Sequence, residues 1–249
     1  MGLKTLRETG EREIGWRMGC VITIDGPAGS GKTSVSRMLA ERLGYAYLDT
    51  GAMYRAVALA AKRGGLDGTD TPGLRDLCAN LDIRLIPDGG TSVICLGQED
   101  ISSLIRTPEM DMLSSKVSAV RVVREAMTTL QRKMADRHEG LVAEGRDMGT
   151  VVFPCAEAKF FLTASMAVRA ERRYRERVER GERSSITRVA EQMEKRDEQD
   201  RSRSAAPLRA APDAIVIDST AIDLEGVLGL ILHHLREGGI LYGFSKINS

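Results

Sequence analysis

Short apolar runs alternate along this chain with longer stretches in which apolar residues recur every three or four positions. Residues 20–25 (CVITID) are one such run, bounded by Gly-Pro, and fit a strand buried in a parallel sheet. Residues 32–43 follow, with Val35, Met38, Leu39 and Leu43 at helical spacing. Strand, glycine turn and helix make the opening half of a βαβ unit. Residues 45–48 predict a second strand and the alanine-rich 52–62 a second helix, while 63–73 (RGGLDGTDTPG) reads as loop. The pattern then changes. Residues 81–87 and 92–96 predict strands joined at Asp88-Gly89-Gly90, a hairpin signal, and 99–101 a third short strand. An antiparallel meander of this size is too small to stand alone and reads as an insert packed on the core. Beyond it, 107–138 is helical in two segments, and 141–144, 159–162 and 214–217 predict three more core strands. Residues 165–203 are helical and dense in Arg and Glu, and 224–236 is a closing helix. There is no internal repeat.

Composition sets limits. At 249 residues the chain is one large domain, or one core with a small insert. Apolar residues make up 42% and charged residues 29%, which excludes wholesale disorder. Aromatics are only 4%, so the core has to be aliphatic. A net charge of +1 lacks the basic excess of a nonspecific nucleic-acid binder, and no nucleic-acid partner is expected. No apolar run approaches the roughly 18 residues of a membrane span, so no membrane partner is expected either. The first residues mix both signs of charge without a signal peptide's apolar core. Residues 1–18 therefore read as a flexible extension with Met18 as an alternative start, 19–236 as the folded domain and 237–249 as a loose tail. Cys20, Cys78, Cys95 and Cys155 form no CxxC pair and read as buried thiols of a cytosolic protein. With no coiled-coil pattern or exposed apolar stripe, a cytoplasmic monomer is expected.

Candidate chemistry begins at Gly26-Pro27-Ala28-Gly29-Ser30-Gly31-Lys32-Thr33, an ungapped match to G-x-x-x-x-G-K-[ST]. Glycines let backbone N–H groups turn inward, because no Cβ blocks the approach. The helix that starts near Lys32 aims its positive end at the same point. Lys32 can reach the β- and γ-phosphates, and Thr33, with Ser34 as a second candidate hydroxyl, can face Mg²⁺. A glycine-rich turn without a ligand is the plainer alternative, but the strand before and the helix after supply the context the motif requires. The segment predicts nucleoside triphosphate binding without naming a reaction. The guanine-reading N-K-x-D of GTPases is absent. Residues 214–218 (AIVID) superficially fit the acid-ended strand of a motor ATPase but read more simply as the last core strand.

Three clusters suggest an acceptor site. Thr50 is a candidate N-cap, and Arg55 lies about a turn into the helix that follows, where a guanidinium can bind phosphate bidentately. Glu144-Gly145-Arg146-Asp147-Met148-Gly149 follows a strand, at the carboxyl end where open α/β sheets bind ligands. Arg169, Arg172, Arg173 and Arg177 recur at helical spacing, as do Arg196, Asp200 and Arg203. Glu171, Glu176 and Glu179 favour a solvated, salt-bridged helix for most of these arginines. Phosphoryl transfer nevertheless needs cations around the moving group, and a mobile helix can deliver them while excluding water.

In this order, GPAGSGKT, LDTGAMYR, the meander, AEGRDMGTVVFP, FLTAS…RAERR and KRDEQDRSRSAAPL resemble the bacterial cytidylate kinase family from about residue 20 to 234. The resemblance implies a P-loop NTPase-type, three-layer αβα fold with a five-stranded parallel sheet. It adds an acceptor-binding antiparallel insert at about 63–110 and a helical lid at about 166–183. It implies transfer of the γ-phosphoryl group of ATP, with Mg²⁺, to CMP or dCMP. Carried over by position, Arg55, Arg146 and Arg203 hold the acceptor phosphate with Thr50 beside them. Ser115, Arg124 and Asp147 read cytosine, and Arg196 and Asp200 contact the sugar. Lys32, Arg146, Arg169 and Arg173 serve the transferring group, with Arg172 less clearly placed. Glu144 and Cys155 stand where Asp is common.

The base assignment has a physical logic. Cytosine offers an N4 donor to Asp147 and an N3 acceptor to Arg124, and uracil reverses both edges. Two mismatched buried contacts imply discrimination on the order of 10³-fold. Rival readings are another small-molecule P-loop kinase, such as a different nucleotide kinase or a shikimate-type enzyme, and a nucleotide-binding regulator or RNA-binding module using 169–203 as a basic surface. That stretch holds 12 Lys/Arg against 9 Asp/Glu, a poor polyanion footprint.

Overall fold

The computed structural model describes residues 20–88, 91–203 and 205–241. The 1–18 extension with Met18, the 89–90 corner of the hairpin and residues 242–249 of the tail lie outside the described residues. The chain runs β1 (Cys20–Asp25), α1 (Lys32–Leu43), β2 (Ala46–Asp49), α2 (Thr50–Arg63), α3 (Thr71–Ala79), β3 (Ile83–Asp88), β4 (Thr91–Leu96) and β5 (Glu99–Asp100). It continues α4 (Pro108–Ala119), α5 (Arg121–Ala135), β6 (Gly140–Gly145), a single π-helical turn (Met148–Val152), β7 (Ala158–Thr163), α6 (Met166–Glu179), α7 (Ile186–Ser202), β8 (Ile215–Asp218) and α8 (Leu224–Glu237). Five strands pair in the order β2-β6-β1-β7-β8, all parallel, and β3-β4-β5 form a separate antiparallel sheet.

Alternation along β1 divides the interior. Val21 faces a core built with α2, α3, α5 and the antiparallel sheet, where Met53, Leu74, Ile94 and Met127 are buried. Ile22 and Ile24 face the opposite layer, packing with Val35 and Leu39 of α1 and with Val227, Leu228 and Ile231 of α8. The sheet is thus covered on both faces, as parallel sheets require. Val189 and Met193 of α7 close a third, small cluster against Ala170 of α6.

This arrangement brings the carboxyl ends of the central strands together, with Asp25 opposite Gly145 and Asp49 opposite Glu144. Asp25 then fixes the loop that leaves β6. Its two carboxylate oxygens accept from Met148 N at 2.9 Å and Gly149 N at 2.8 Å. Burial pushes its carboxyl up to about 7, against the pull of those two donors.

Predicted and observed elements agree in type, with local differences. Helix α3 begins inside the stretch read as loop: Asp70 accepts from Gly73 N at 3.2 Å and Pro72 fills the first turn. The long Arg-rich stretch is two helices, broken at 180–185. The cap of α2 is Asp49, which accepts from Ala52 N at 2.8 Å, one residue before the expected Thr50. All four cysteines are free, but only Cys95 is buried. Cys20 and Cys78 are half-buried and Cys155 is exposed, because it sits in the loop before β7 rather than in the core. In the expected loose tail, Ile240 and Leu241 pack against the α1–α8 core. Replacing Asp25 by Ala strands two buried N–H donors and is expected to lower unfolding free energy by about 2 kcal/mol or more, measured by urea denaturation.

Candidate active site

The loop between β1 and α1 is shaped by close approach. Gly26 has φ of 152°, and a Cβ there would lie 2.0 Å from the carbonyl oxygen of Leu162 in β7, so only glycine lets the two strands sit this close. Gly31, at φ 87°, occupies the N-cap of α1, and no side chain bonds to the helix's first N–H groups. Those donors are left to an anion, and the helix dipole favours negative charge there. Ser219 supports the loop from behind, donating to Ser30 O at 3.1 Å while accepting from Arg172 at 3.0 Å. Lys32 is buried, with Nζ donating to Pro27 O at 3.1 Å. Burial and the neighbouring Arg146 hold its ammonium below the ordinary lysine value, while Glu144 opposes them.

Glu144 links this loop to the acceptor side. Its Oε2 accepts from Thr33 Oγ1 at 2.9 Å, its Oε1 from Tyr47 Oη, and its backbone oxygen from Thr50 Oγ1 at 2.7 Å. Burial and Asp49 raise its carboxyl, and Lys32 and the two hydroxyls work against them.

Two strand-end residues then face the helices. Arg146 Nε donates to Asp200 Oδ2 at 3.0 Å. Asp147, only 2% exposed, accepts from Arg124 Nη2, and the Arg124 guanidinium lies 5.4 Å above the Tyr54 ring. Arg203 stands between the two acids, 3.6 Å from Asp200 Oδ1 and 4.0 Å from Asp147 Oδ1, and donates to Ala206 O at 2.6 Å. A second carboxylate, Asp111 of α4, draws in Arg55 at 3.3 Å, Arg196 at 3.6 Å and Arg173. Burial alone would raise the Asp111 carboxyl, but Arg173, Arg196 and Arg55 outweigh it and hold it below the usual carboxylate range.

One cavity joins these groups. The expected residues that line it are Ala28, Gly29, Gly31, Lys32, Thr33, Ser34, Thr50, Arg55, Arg124, Arg146, Asp147, Arg173, Arg196, Asp200 and Arg203. Gly26, Pro27 and Ser30 shape the loop from behind. Two expected residues point elsewhere. Ser115 donates to Gln199 at 3.2 Å, and Ser114 and Ser118 line the cavity in its stead. Arg169 is 4% exposed and bonds Ala164 O at 3.0 Å, Ala28 O at 3.1 Å and Asp197 Oδ2 at 2.6 Å, tying α6 to α7 and to the phosphate loop. Asp49, Tyr54 and Asp111 line the cavity without having been singled out from sequence, and so does Glu176, which the sequence assigned to a solvated helix face. The hydroxyl of Tyr54 is buried without a hydrogen-bond partner among the described residues, and burial pushes it up to about 12.

A family model described as cytidylate kinase matches residues 22–237. The chain belongs to the cytidylate kinase family. A cytidylate kinase from Citrifermentans bemidjiense is 47% identical over 219 residues, 88% of this chain and 94% of that protein. A cytidylate kinase 1 from Haemophilus influenzae is 43% identical over 225 residues, 90% of this chain and 97% of that one. A solved shikimate kinase from Bacteroides thetaiotaomicron is 12% identical, with a TM-score of 0.47 over 87% of this chain and 98% of that one.

Within this member of the cytidylate kinase family, the two arginines one turn apart on α6 have different environments. Arg169→Ala leaves Asp197 charged and buried, and is expected to lower stability by about 3–5 kcal/mol. Arg173→Ala leaves Asp111 paired with Arg55 and Arg196, so no carboxylate is stranded, and is expected to cost about 1 kcal/mol or less. Denaturant unfolding of the two variants side by side measures the difference.

Proposed function

We propose that the protein transfers the γ-phosphoryl group of ATP to CMP or dCMP, giving ADP and CDP or dCDP. The observation that carries this reading is the single cavity shared by the uncapped N-terminus of α1 with Lys32 and by the buried Asp147–Arg124 pair. One end suits a triphosphate and the other suits a base edge that presents a donor next to an acceptor.

The acceptor phosphate is already anionic, so no strong general base is needed and positioning with charge neutralisation suffices. Arg55, Arg146 and Arg203 hold the acceptor phosphate in this reading, with Thr50 beside them. Arg196 and Asp200 take the sugar. Asp147 accepts from cytosine N4 and Arg124 donates to N3. Ser115 joins them only by turning from Gln199. An acceptor oxygen bonds to the γ-phosphorus as the bond to the bridging oxygen of ADP breaks. Lys32, the first N–H groups of α1 and Arg173 stabilise the charge on the three equatorial oxygens. Arg169 supports the lid in this scheme rather than touching the moving group. Mg²⁺ fits beside Thr33 Oγ1 and Glu144, a hard oxygen pair that leaves coordination positions for water and phosphate oxygens, and it would neutralise β- and γ-oxygen charge there. Among the described residues no helix is long and apolar enough to cross a membrane. A cytoplasmic monomer is part of the proposal.

A coupled assay of ADP release with CMP, dCMP, UMP, AMP, shikimate and no acceptor tests the reading. CMP and dCMP should turn over strongly, with kcat/KM for UMP lower by about 10³-fold. Comparable values for CMP and UMP would remove the Asp147–Arg124 base reading, and turnover of shikimate alone would replace the acceptor class. Lys32→Ala is expected to reduce kcat far more than it weakens CMP binding. Arg203→Ala should weaken binding of cytosine and uracil nucleotides to the same extent, because a phosphate contact carries no base information.

A further inference from the structure

Asp111 is an anion inside a cage that has to receive an anion. One carboxylate of α4 is shared by Arg55 of α2, Arg173 of α6 and Arg196 of α7. Two of these are expected acceptor-site residues and the third is a lid arginine. The other arm of Arg173 is also taken, by Glu176 at 2.8 Å, so both ends of that guanidinium rest on carboxylates. Arg55 and Arg196 both lie on Asp111 Oδ1, while Arg173 lies on Oδ2. Asp111 and Glu176 both line the cavity.

We infer that Asp111 is a positioning residue that stands in for the acceptor phosphate, and that it keeps Arg173 off the γ-phosphoryl group until the acceptor arrives. The inference rests on the phosphoryl-transfer reading above. An acceptor nucleotide entering the cage competes for the same donors: Arg55 turns to its phosphate oxygens and Arg196 to its sugar. Its charge also repels the Asp111 carboxylate, because two anions a few ångströms apart in a partly buried site disfavour one another. Arg173 loses its resting partner and becomes free for the transferring group. Without an acceptor, Arg173 stays on Asp111 and Glu176, and water is a poor substitute nucleophile. In that wasteful reaction water oxygen bonds to the γ-phosphorus, the bond to ADP oxygen breaks, and the proton of water passes to solvent. Asp111 thus makes use of the donor depend on the presence of the acceptor.

The test compares acceptor-free ATP hydrolysis with CMP phosphorylation in the unmodified protein, Asp111→Asn, Asp111→Glu and Glu176→Gln. Asp111→Asn keeps the shape and removes the charge. It should raise acceptor-free hydrolysis about tenfold and tighten CMP binding several-fold, measured calorimetrically with a non-hydrolysable ATP analogue. Asp111→Glu restores the charge and should return hydrolysis to within about twofold of the unmodified value. Glu176→Gln, at an exposed position on α6, should raise hydrolysis in the same direction by less, and it decides the question alone if Asp111→Asn does not fold. Unchanged hydrolysis with weaker CMP binding in the folded Asn variant overturns the inference, since a purely structural carboxylate would behave that way. Unchanged hydrolysis in Glu176→Gln, where the Asn variant is unfolded, overturns it too. An unmodified protein that fails to phosphorylate CMP overturns the functional reading itself, which is a separate result.

Discussion

Converging cations repel, and the site depends on how that repulsion is met before any phosphate is present. Two like charges 4 Å apart at an effective dielectric near 20 oppose each other by about 4 kcal/mol. Arg55, Arg124, Arg146, Arg173, Arg196 and Arg203 all line one cavity. They are held there by carboxylates placed between them: Asp111 among Arg55, Arg173 and Arg196, Asp200 between Arg146 and Arg203, and Asp147 against Arg124. The balance shows in the direction in which each group is pushed. Arg196 is driven below the ordinary arginine value by burial and by Arg146, while Asp111 and Asp200 are held low by the cations around them despite their burial. The helices α2, α4, α6 and α7 are joined through side chains whose preferred ligand is an anion. Their relative position is therefore sensitive to what enters the cavity.

The phosphate-loop side is fixed by different means. Gly26 lets β1 approach β7 closely, and Ser219 ties Ser30 O to Thr163 O. Asp25 pins the Met148 and Gly149 backbone from the end of β1. These are short, buried and mostly neutral contacts, and they do not rely on the ligand. The molecule thus pairs a rigid donor half on the sheet with an acceptor half whose order is electrostatic.

The difference also explains what was legible in the sequence. The sheet and the loop follow from local patterns: CVITID, the glycine spacing and the apolar stripe of 32–43 lie next to one another in the chain and specify one another. The arginine cage is built from residues 55, 111, 146, 173, 196 and 203, which are adjacent only after folding. Arg55, Arg146 and Arg203 were reached through motifs. Asp111 was missed because a lone Asp in the first turn of a helix looks like a favourable dipole partner and nothing more. Its role appears only when three other helices bring guanidinium groups to it. Ser115 shows the converse case. Motif position carried it into the site, but its turn of α4 faces Gln199, while Ser114 and Ser118 face the cavity. Helix α3 was missed for a local reason, since Gly-Leu-Asp-Gly-Thr-Asp reads as loop and hides the Asp70 cap and Pro72 start.

Arg169 and Arg173 show how far spacing can carry an assignment. They stand four residues apart, on one face of α6, and as sequence they are equivalent. What separates them is α7, whose residues 193, 196, 197 and 200 share a face at helical intervals. Met193 and Asp197 meet the Arg169 end of α6, where Asp197 neutralises the guanidinium, the Ala164 carbonyl accepts from Nε and the Ala28 carbonyl from Nη1. An arginine buried in this way, and absent from the lining of the cavity, is placed to brace the helices rather than to meet a phosphoryl group. One turn on, Arg173 meets Asp111 of α4 and Glu176 of its own helix, partners that line the cavity and that an entering anion can displace. The same side chain acts as a strut where its counter-ion is buried with it, and as a movable cation where its counter-ion faces the substrate.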